Sequence, residues 1–225
     1  MTMISLTIDG RSVAVEEGTT ILNAAKKVNI RVPTLCHLHL EDLQMLNQVA
    51  SCRICVVEVE GRRPLMPACA TPVAEGMKVA TNSKRVLAAR RMVLELLLSD
   101  HPSDCLVCPK STNCELQTMA SAFGINRERF KWQSNTHLED TSSKALKRDP
   151  NKCIMCRRCE TMCSEVQTVG VLTANGRGFD AIVGPADMKP LLDTNCTYCG
   201  QCVTVCPTAA LTGVTVTCAD DMIQA

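Results

Sequence analysis

Two cysteine runs of the same spacing, Cys153-x2-Cys156-x2-Cys159-x3-Cys163 and Cys196-x2-Cys199-x2-Cys202-x3-Cys206, lie 43 residues apart. Thiols two residues apart share one tight loop, and a repeated loop implies a repeated structural unit. Eight further cysteines bring the total to sixteen in 225 residues, against one Trp, one Tyr and three Phe. Large rings normally supply much of a core's buried area, so cysteine must organise part of this interior. Disulfides and metal ligation are the two options, and compartment separates them. Met1-Thr-Met-Ile-Ser runs straight into strand-like alternation, with none of the features of a secretory leader. No apolar run approaches the length of a membrane span. A cytoplasmic location without a membrane span is therefore expected, and reduced thiols there point to metal. The 24 basic and 23 acidic residues give no electrostatic reason to expect nucleic acid or an anionic membrane.

The x2-x2-x3 spacing, with Pro207 after Cys206, is that of bacterial ferredoxins. There a loop wraps three thiolates round one cube, and the fourth cysteine ligates the neighbouring cluster. Cys153, Cys156, Cys159 and Cys206 are thus assigned to one [4Fe–4S], and Cys163, Cys196, Cys199 and Cys202 to another. Paired four-cysteine zinc sites are the competing reading. Zinc needs four ligands from a pair of hooks, not two sets of three plus one. Ser164 stands where the first run would carry its proline, which alters no ligand.

Cys36, Cys52, Cys55 and Cys69 are spaced x15, x2 and x13. One isolated cysteine, a CxxC hook and a distant fourth is the plant-type [2Fe–2S] pattern; zinc on a β-scaffold is the minority alternative. Backbone amides and the cationic side chain of Cys52-Arg53-Ile54-Cys55 are expected to face cluster sulfides. In His101-x3-Cys105-x2-Cys108-x5-Cys114 the three cysteines are one ligand short of a cube. His101 either supplies the missing ligand or decorates a helix C-terminus, where a cationic imidazole is favoured. Cys218 is left as a small apolar residue. His37, His39 and His137 have no partnering spacing. Gly176-Arg-Gly178-Phe-Asp-Ala181 formally resembles a dinucleotide fingerprint, but Ile-Val-Gly-Pro follows in place of a helix, so a hairpin turn is expected.

Strands are predicted over 3–8 and 11–15 around Asp9-Gly10, over 54–60 and 64–68, and over 76–81, with a helix over 21–28. Ser83 caps a predicted helix over 84–98, whose basic run Lys84, Arg85, Arg90, Arg91 reads as a solvated face. A second helix is predicted over 114–123. Residues 126–150 are polar and weakly periodic, a linker or a wrapping segment. The organisation expected is α+β: a [2Fe–2S] domain over 1–81, a small helical domain over 82–125, the 126–150 segment, a two-cluster domain over 151–213 and a tail over 214–225.

In this order, and with His101-Pro-Ser-Asp-Cys105-Leu-Val-Cys108 in the middle, the motifs resemble one family. It is the N-terminal iron–sulfur region shared by the large iron–sulfur subunit of bacterial complex I, [FeFe]-hydrogenase catalytic subunits and NAD-linked formate dehydrogenases. The resemblance covers residues 3–213. It implies a plant-type ferredoxin (β-grasp) domain carrying [2Fe–2S], a helical domain in which His101 is a genuine ligand with Cys105, Cys108 and Cys114, and a bacterial two-[4Fe–4S] ferredoxin domain. One [2Fe–2S] and three [4Fe–4S] clusters follow. The long Cys36–Cys52 loop, and Ala50-Ser51 where the family carries a glycine, depart from the pattern. Nineteen residues follow Cys206, and the expectation is a stand-alone electron-relay subunit of an NAD(P)-linked oxidoreductase with no catalytic centre of its own. A flavin- and NAD(P)-binding subunit is the expected partner on one side, and a ferredoxin or catalytic redox subunit on the other. The histidine group is expected between the two ends of the wire. A free ferredoxin-like carrier and a zinc-stabilised scaffold are the rival functions.

Overall fold

The computed structural model describes residues 2–40, 43, 45–126, 129–130 and 136–214. Cys218 and the tail beyond Val214 lie outside the described residues. The first unit is a five-stranded sheet with one helix across it. Strands β1 (Met3–Ile8) and β2 (Arg11–Glu16) form the predicted hairpin, joined by Asp9 and Gly10 at φ 46° and 79°. Two left-handed residues match the twist of the flanking strands. Strands β3 (Val56–Val59), β4 (Met66–Pro67) and β5 (Lys78–Ala80) complete the order β2-β1-β5-β3-β4, with β1 and β5 parallel and the other pairs antiparallel. Thr20 caps α1 (Ile21–Lys27), whose Ile21, Leu22, Ala24 and Ala25 are buried with Leu6, Ile8, Val15, Val57 and Val79. Cys55 and Cys69 belong to this same core.

Ser83 caps α2 (Lys84–Ser99) as predicted, accepting from the Val86 N–H, while its hydroxyl donates to Glu58 on β3. The expectation of a solvated basic face fails at one position. Arg90 is only 2% exposed, whereas Leu87 is 41% exposed. Helix α2 lies against β3, so Arg90 points at the sheet and donates to the Val56 carbonyl at 2.9 Å. Glu95 is buried as well, paired with Arg91 and Arg129. Helix α3 (Glu115–Ala122) then packs Leu116 and Ala120 with Leu94, Leu35, Ile54 and Ile154.

The last unit has two small sheets. Strand β6 (Leu146–Arg148) pairs with β9 (Leu211–Gly213), and β7 (Thr173–Asn175) with β8 (Ile182–Gly184). Between them run α4 (Arg158–Thr161), continued by a π-helical turn over Met162–Val166, and α5 (Gln201–Val205). The Gly176 segment is a hairpin connection, as predicted; a Cβ there would meet the Asp180 carbonyl oxygen at 2.8 Å. No helix among the described residues is long and apolar enough to cross a membrane.

Described residues of the 126–150 segment take the wrapping form. Asp140 and Arg148 exchange both backbone hydrogen bonds, at 2.8 and 2.9 Å. The buried Asp140 carboxylate accepts from Ser142 N–H, Ser142 Oγ and Leu191 N–H, and pairs with Arg148 at 3.9 Å. Burial alone would raise its pKa, but the Ser142 and Leu191 donors and the Arg148 charge outweigh that and hold it below the usual carboxylate range. A depressed folded-state pKa contributes stability that is present above the ordinary carboxylate pKa and is lost as pH falls through the folded value. Asp140→Ala is expected to cost about 1–3 kcal/mol at neutral pH. Denaturant titrations of parent and variant at successively lower pH should show the gap closing; an unchanged gap would exclude the carboxylate as its source.

Candidate iron–sulfur centres

Each CxxC hook of the Cys36 group and of the repeat contains one left-handed residue, whereas the Cys105–Cys108 hook is a 3-10 turn without one. Arg53, Met155, Arg157, Tyr198 and Gly200 have φ of 58°, 53°, 62°, 53° and 76°. Met155 and Tyr198 correspond across the repeat, as do Arg157 and Gly200. Only glycine adopts this conformation freely; each of the others stores about 1–2 kcal/mol. The reversal turns successive N–H groups toward the concave side of the loop, the arrangement that solvates anions. Met155 N–H lies 3.4 Å from the Cys153 sulfur, and Val171 N–H 3.3 Å from that of Cys163. Ala50 is also left-handed, at φ 65°. Arg53 contributes this backbone turn, while its side chain is exposed.

The two runs line two separate cavities. Cys153, Cys156, Cys159 and Cys206 line the first; Cys163, Cys196, Cys199 and Cys202 line the second. The crossing of the fourth cysteine follows from α4 and α5 lying side by side, so that each helix carries its last thiol to the other's loop. Leu172 and Leu211 line both cavities. Burial pushes the Cys153 and Cys159 thiols up and those of Cys156 and Cys202 to about 12. Such thiols ionise only against a cation, which is how iron ligation becomes coupled to proton release.

Cys36, Cys52, Cys55 and Cys69 converge beneath the first sheet, all buried, with the Cys55 and Cys69 sulfurs 3.3 Å apart. Hydrogen bonds from Cys52 and Cys69 push the Cys36 pKa well down, and those two donors are pushed up. A hydrogen bond from Cys69 lowers Cys55 to about 7. The nest therefore accommodates its first negative charge readily and resists more without metal, the behaviour of a thiolate cage. His37 is buried beside it, its ring edge-on to His39 at 5.1 Å.

His101, Cys105, Cys108 and Cys114 come from the end of α2 and the loop before α3. Cys105 and Cys108 lie within electrostatic reach of Cys114. Burial holds the His101 imidazole below its ordinary pKa, so it is neutral at neutral pH. Its Nδ1 is buried without a hydrogen-bond partner among the described residues. An orphaned neutral nitrogen is what a metal ligand leaves when the metal is removed. Among the described residues no group of three or more His, Cys, Asp or Glu side chains is placed to hold a single metal ion. Donors arranged around a space suit a multinuclear core.

The centres meet at the first cavity. Ser51 Oγ donates to the Cys156 carbonyl at 3.3 Å, and Cys36, Cys52 and Cys156 share one apolar core. From the histidine group, Lys110 Nζ donates to the Cys206 carbonyl at 2.6 Å and Glu115 N–H to that of Pro207 at 3.0 Å. Arg158 of α4 ties back to Glu115 through two bonds of 2.6 and 2.9 Å. The histidine group therefore does not stand between the two ends, as expected from chain order. It and the Cys36 group each abut the Cys153 group, because α2 and α3 pack beside the sheet rather than beyond it. Buried Arg90, Arg148 and Arg158 were missed in the sequence, where nothing separates a buried arginine from a surface one.

Comparison with known proteins follows the same three-part division. Residues 1–84 match the family described as a 2Fe-2S iron-sulfur cluster binding domain, residues 90–129 the NADH-ubiquinone oxidoreductase-G iron-sulfur binding region, and residues 152–210 a 4Fe-4S dicluster domain. A chain in the crystal structure of an NAD+-reducing [NiFe]-hydrogenase in the H2-reduced state superposes with a TM-score of 0.84 and 30% identity, covering 96% of this chain and 89% of that one. This chain belongs to that iron–sulfur family. Relatives within it include the NADP-reducing hydrogenase subunit HndD of Solidesulfovibrio fructosivorans, 60% identical over 94% of this chain and 36% of its own. Another is the NADPH-Fe(3+) oxidoreductase subunit alpha of Geobacter sulfurreducens (strain DL-1 / KN400), 36% identical over 93% and 24%. The chain thus spans about a third or less of the length of these curated relatives. Its membership establishes iron–sulfur domains of both the 2Fe–2S and the 4Fe–4S kind.

The Arg158–Glu115 fork is the one bidentate ion pair joining the histidine group to the two-cavity unit among the described residues. A double-mutant cycle on Arg158→Ala and Glu115→Ala should give a coupling energy of about 0.5–3 kcal/mol. Strictly additive losses in denaturant unfolding would show the fork to be incidental.

Proposed function

We propose that this chain is the electron relay of a cytoplasmic, multisubunit NAD(P)-linked oxidoreductase, holding one [2Fe–2S] and three [4Fe–4S] clusters. The observation that carries the reading is the pair of cavities with crossed fourth cysteines, a donor set suited to two cubes. The ligands proposed are Cys36, Cys52, Cys55 and Cys69 for [2Fe–2S]; His101, Cys105, Cys108 and Cys114 for one cube; Cys153, Cys156, Cys159 and Cys206 for the second; and Cys163, Cys196, Cys199 and Cys202 for the third. The β2-β1-β5-β3-β4 order with α1 across it supports a plant-type β-grasp domain over 1–81. The antiparallel pairs β6–β9 and β7–β8 flanking α4 and α5 support a two-cluster ferredoxin domain over 151–213.

Bound there, the clusters supply reversible one-electron transfer. The residues of the chain hold them apart at short spacing, exclude water and set each potential through burial, N–H donors and ligand identity. Two branches, the Cys36 group and the His101 group, converge on the Cys153 group, whose cavity shares Leu172 and Leu211 with that of the Cys196 group. A flavin- and NAD(P)-binding subunit and a ferredoxin or catalytic redox partner are the proposed neighbours, in keeping with the names of the relatives.

Anaerobically purified protein is expected to contain about 14 irons per chain with matching sulfide, and to show EPR signals of both cluster types on reduction. Cys163→Ala and Cys206→Ala should each remove about four irons, the first sparing the Cys153 group and the second the Cys196 group. Stoichiometric zinc without sulfide would sink the redox reading.

A further inference from the structure

Three buried arginines lie beside the cysteine groups, and they differ in how their charge is met. Arg158 is neutralised by the Glu115 fork, and Arg148 by Asp140 at 3.9 Å. Arg90 has no carboxylate within ion-pair distance among the described residues. Its guanidinium donates through Nη2 to the Val56 carbonyl at 2.9 Å, and its Nε has no partner there. Val56 directly follows Cys55, and Arg90 is 2% exposed. The ionisable groups that act on it are Cys55 and, next, Asp9, whose carboxylate is engaged by the Thr81 N–H and hydroxyl. Glu58, also on the sheet side of α2, is taken up by Ser83 and Arg85.

An arginine cannot shed its proton under ordinary conditions. Burying it without a counter-charge costs several kcal/mol, and buried charges persist where they are paired or face a metal site. Beyond Asp9, whose carboxylate is engaged by Thr81, the counter-charge within reach is the four-thiolate cage that includes Cys55. Loaded with [2Fe–2S], that cage is anionic, and it gains a further negative charge on taking up an electron with no proton to balance it. A fixed cation in a poorly solvated core interacts more strongly with the reduced than with the oxidised form.

We propose that Arg90 is a positioning and tuning residue for the [2Fe–2S] centre, supplying its internal counter-charge and raising its reduction potential; this rests on the [2Fe–2S] assignment made above. Arg90 has two separable actions. Its hydrogen bond to Val56 fixes the start of β3 just beyond Cys55, and its charge stabilises the reduced state. Arg53, the cation nearest in sequence, is exposed to solvent and its charge is screened accordingly. Because Arg90 belongs to α2, the centre is tuned from outside its own sheet.

The test is a mediated potentiometric titration, with dithionite as reductant, of the anaerobically purified full chain, followed by the [2Fe–2S] EPR signal. Parent, Arg90→Gln, Arg90→Met and Arg90→Lys are compared. Arg90→Gln and Arg90→Met are expected to shift the [2Fe–2S] midpoint to more negative potential, Arg90→Lys to restore most of the shift, and the [4Fe–4S] signals to stay in place. Unshifted midpoints in Gln and Met variants that keep their [2Fe–2S] signal overturn the proposal. So does a Lys variant displaced as far as Gln, which would make shape and not charge the cause. Loss of the [2Fe–2S] signal from all three variants, with the [4Fe–4S] signals intact, would make Arg90 a structural pin and overturn its tuning role. A parent protein without any [2Fe–2S] signal would instead remove the cofactor assignment itself.

Discussion

Thiol groups packed where other proteins place aromatic rings are the constraint on which this molecule depends. Cys55 and Cys69 sit in the core of the first sheet, Cys36, Cys52 and Cys156 in the core shared with α2 and α3, and Cys159 and Cys206 in that of the last unit. Thiols whose pKa burial has raised do not ionise unaided, and paired ones share a single charge before resisting the next. Packing and metal binding therefore use the same atoms. Because buried cysteines sit in each of the three cores, loading and folding are expected to be coupled.

Local strain has the same origin. Met155, Arg157, Tyr198 and Arg53 are held left-handed at a cost that glycine would avoid. Arg53 and Arg157 stand first inside their hooks, Met155 and Tyr198 second, so the turn is set by each loop, which must direct its N–H groups inward, and not by residue type. Such positions persist where the surroundings over-determine them. The long-range ties do this: Ser51 to Cys156, Lys110 to Cys206, and Arg158 to Glu115 each fix one cysteine loop against another.

Convergence of these ties on the Cys153 group gives the assembly its shape. Chain order reads as a line of centres, yet helix α2 folds back along β3 and places the Cys36 and His101 groups side by side. Under the proposed function, this layout would give the relay two branches that meet at the Cys153 group. It also brings a buried arginine of one segment against the cysteines of another.

Spacing alone determined the grouping of the cysteines, because a hook of two intervening residues can wrap only one centre and the x3 cysteine leaves the loop along a helix. The hairpin at Asp9-Gly10, the Ser83 cap and the turn at Gly176 were legible for the same reason: each depends on two or three neighbouring residues. Tertiary structure decided what depends on packing between distant segments. Arg90 and Leu87 exchange the environments that α2's periodicity suggests, since β3 offers a carbonyl where the stripe would need an apolar wall. The composition of 126–150 leaves linker and wrapping segment both open, and the Asp140–Arg148 bridge decides for wrapping. Whether a charge is buried, and which centre stands beside which, are properties of contacts that one-dimensional spacing does not encode.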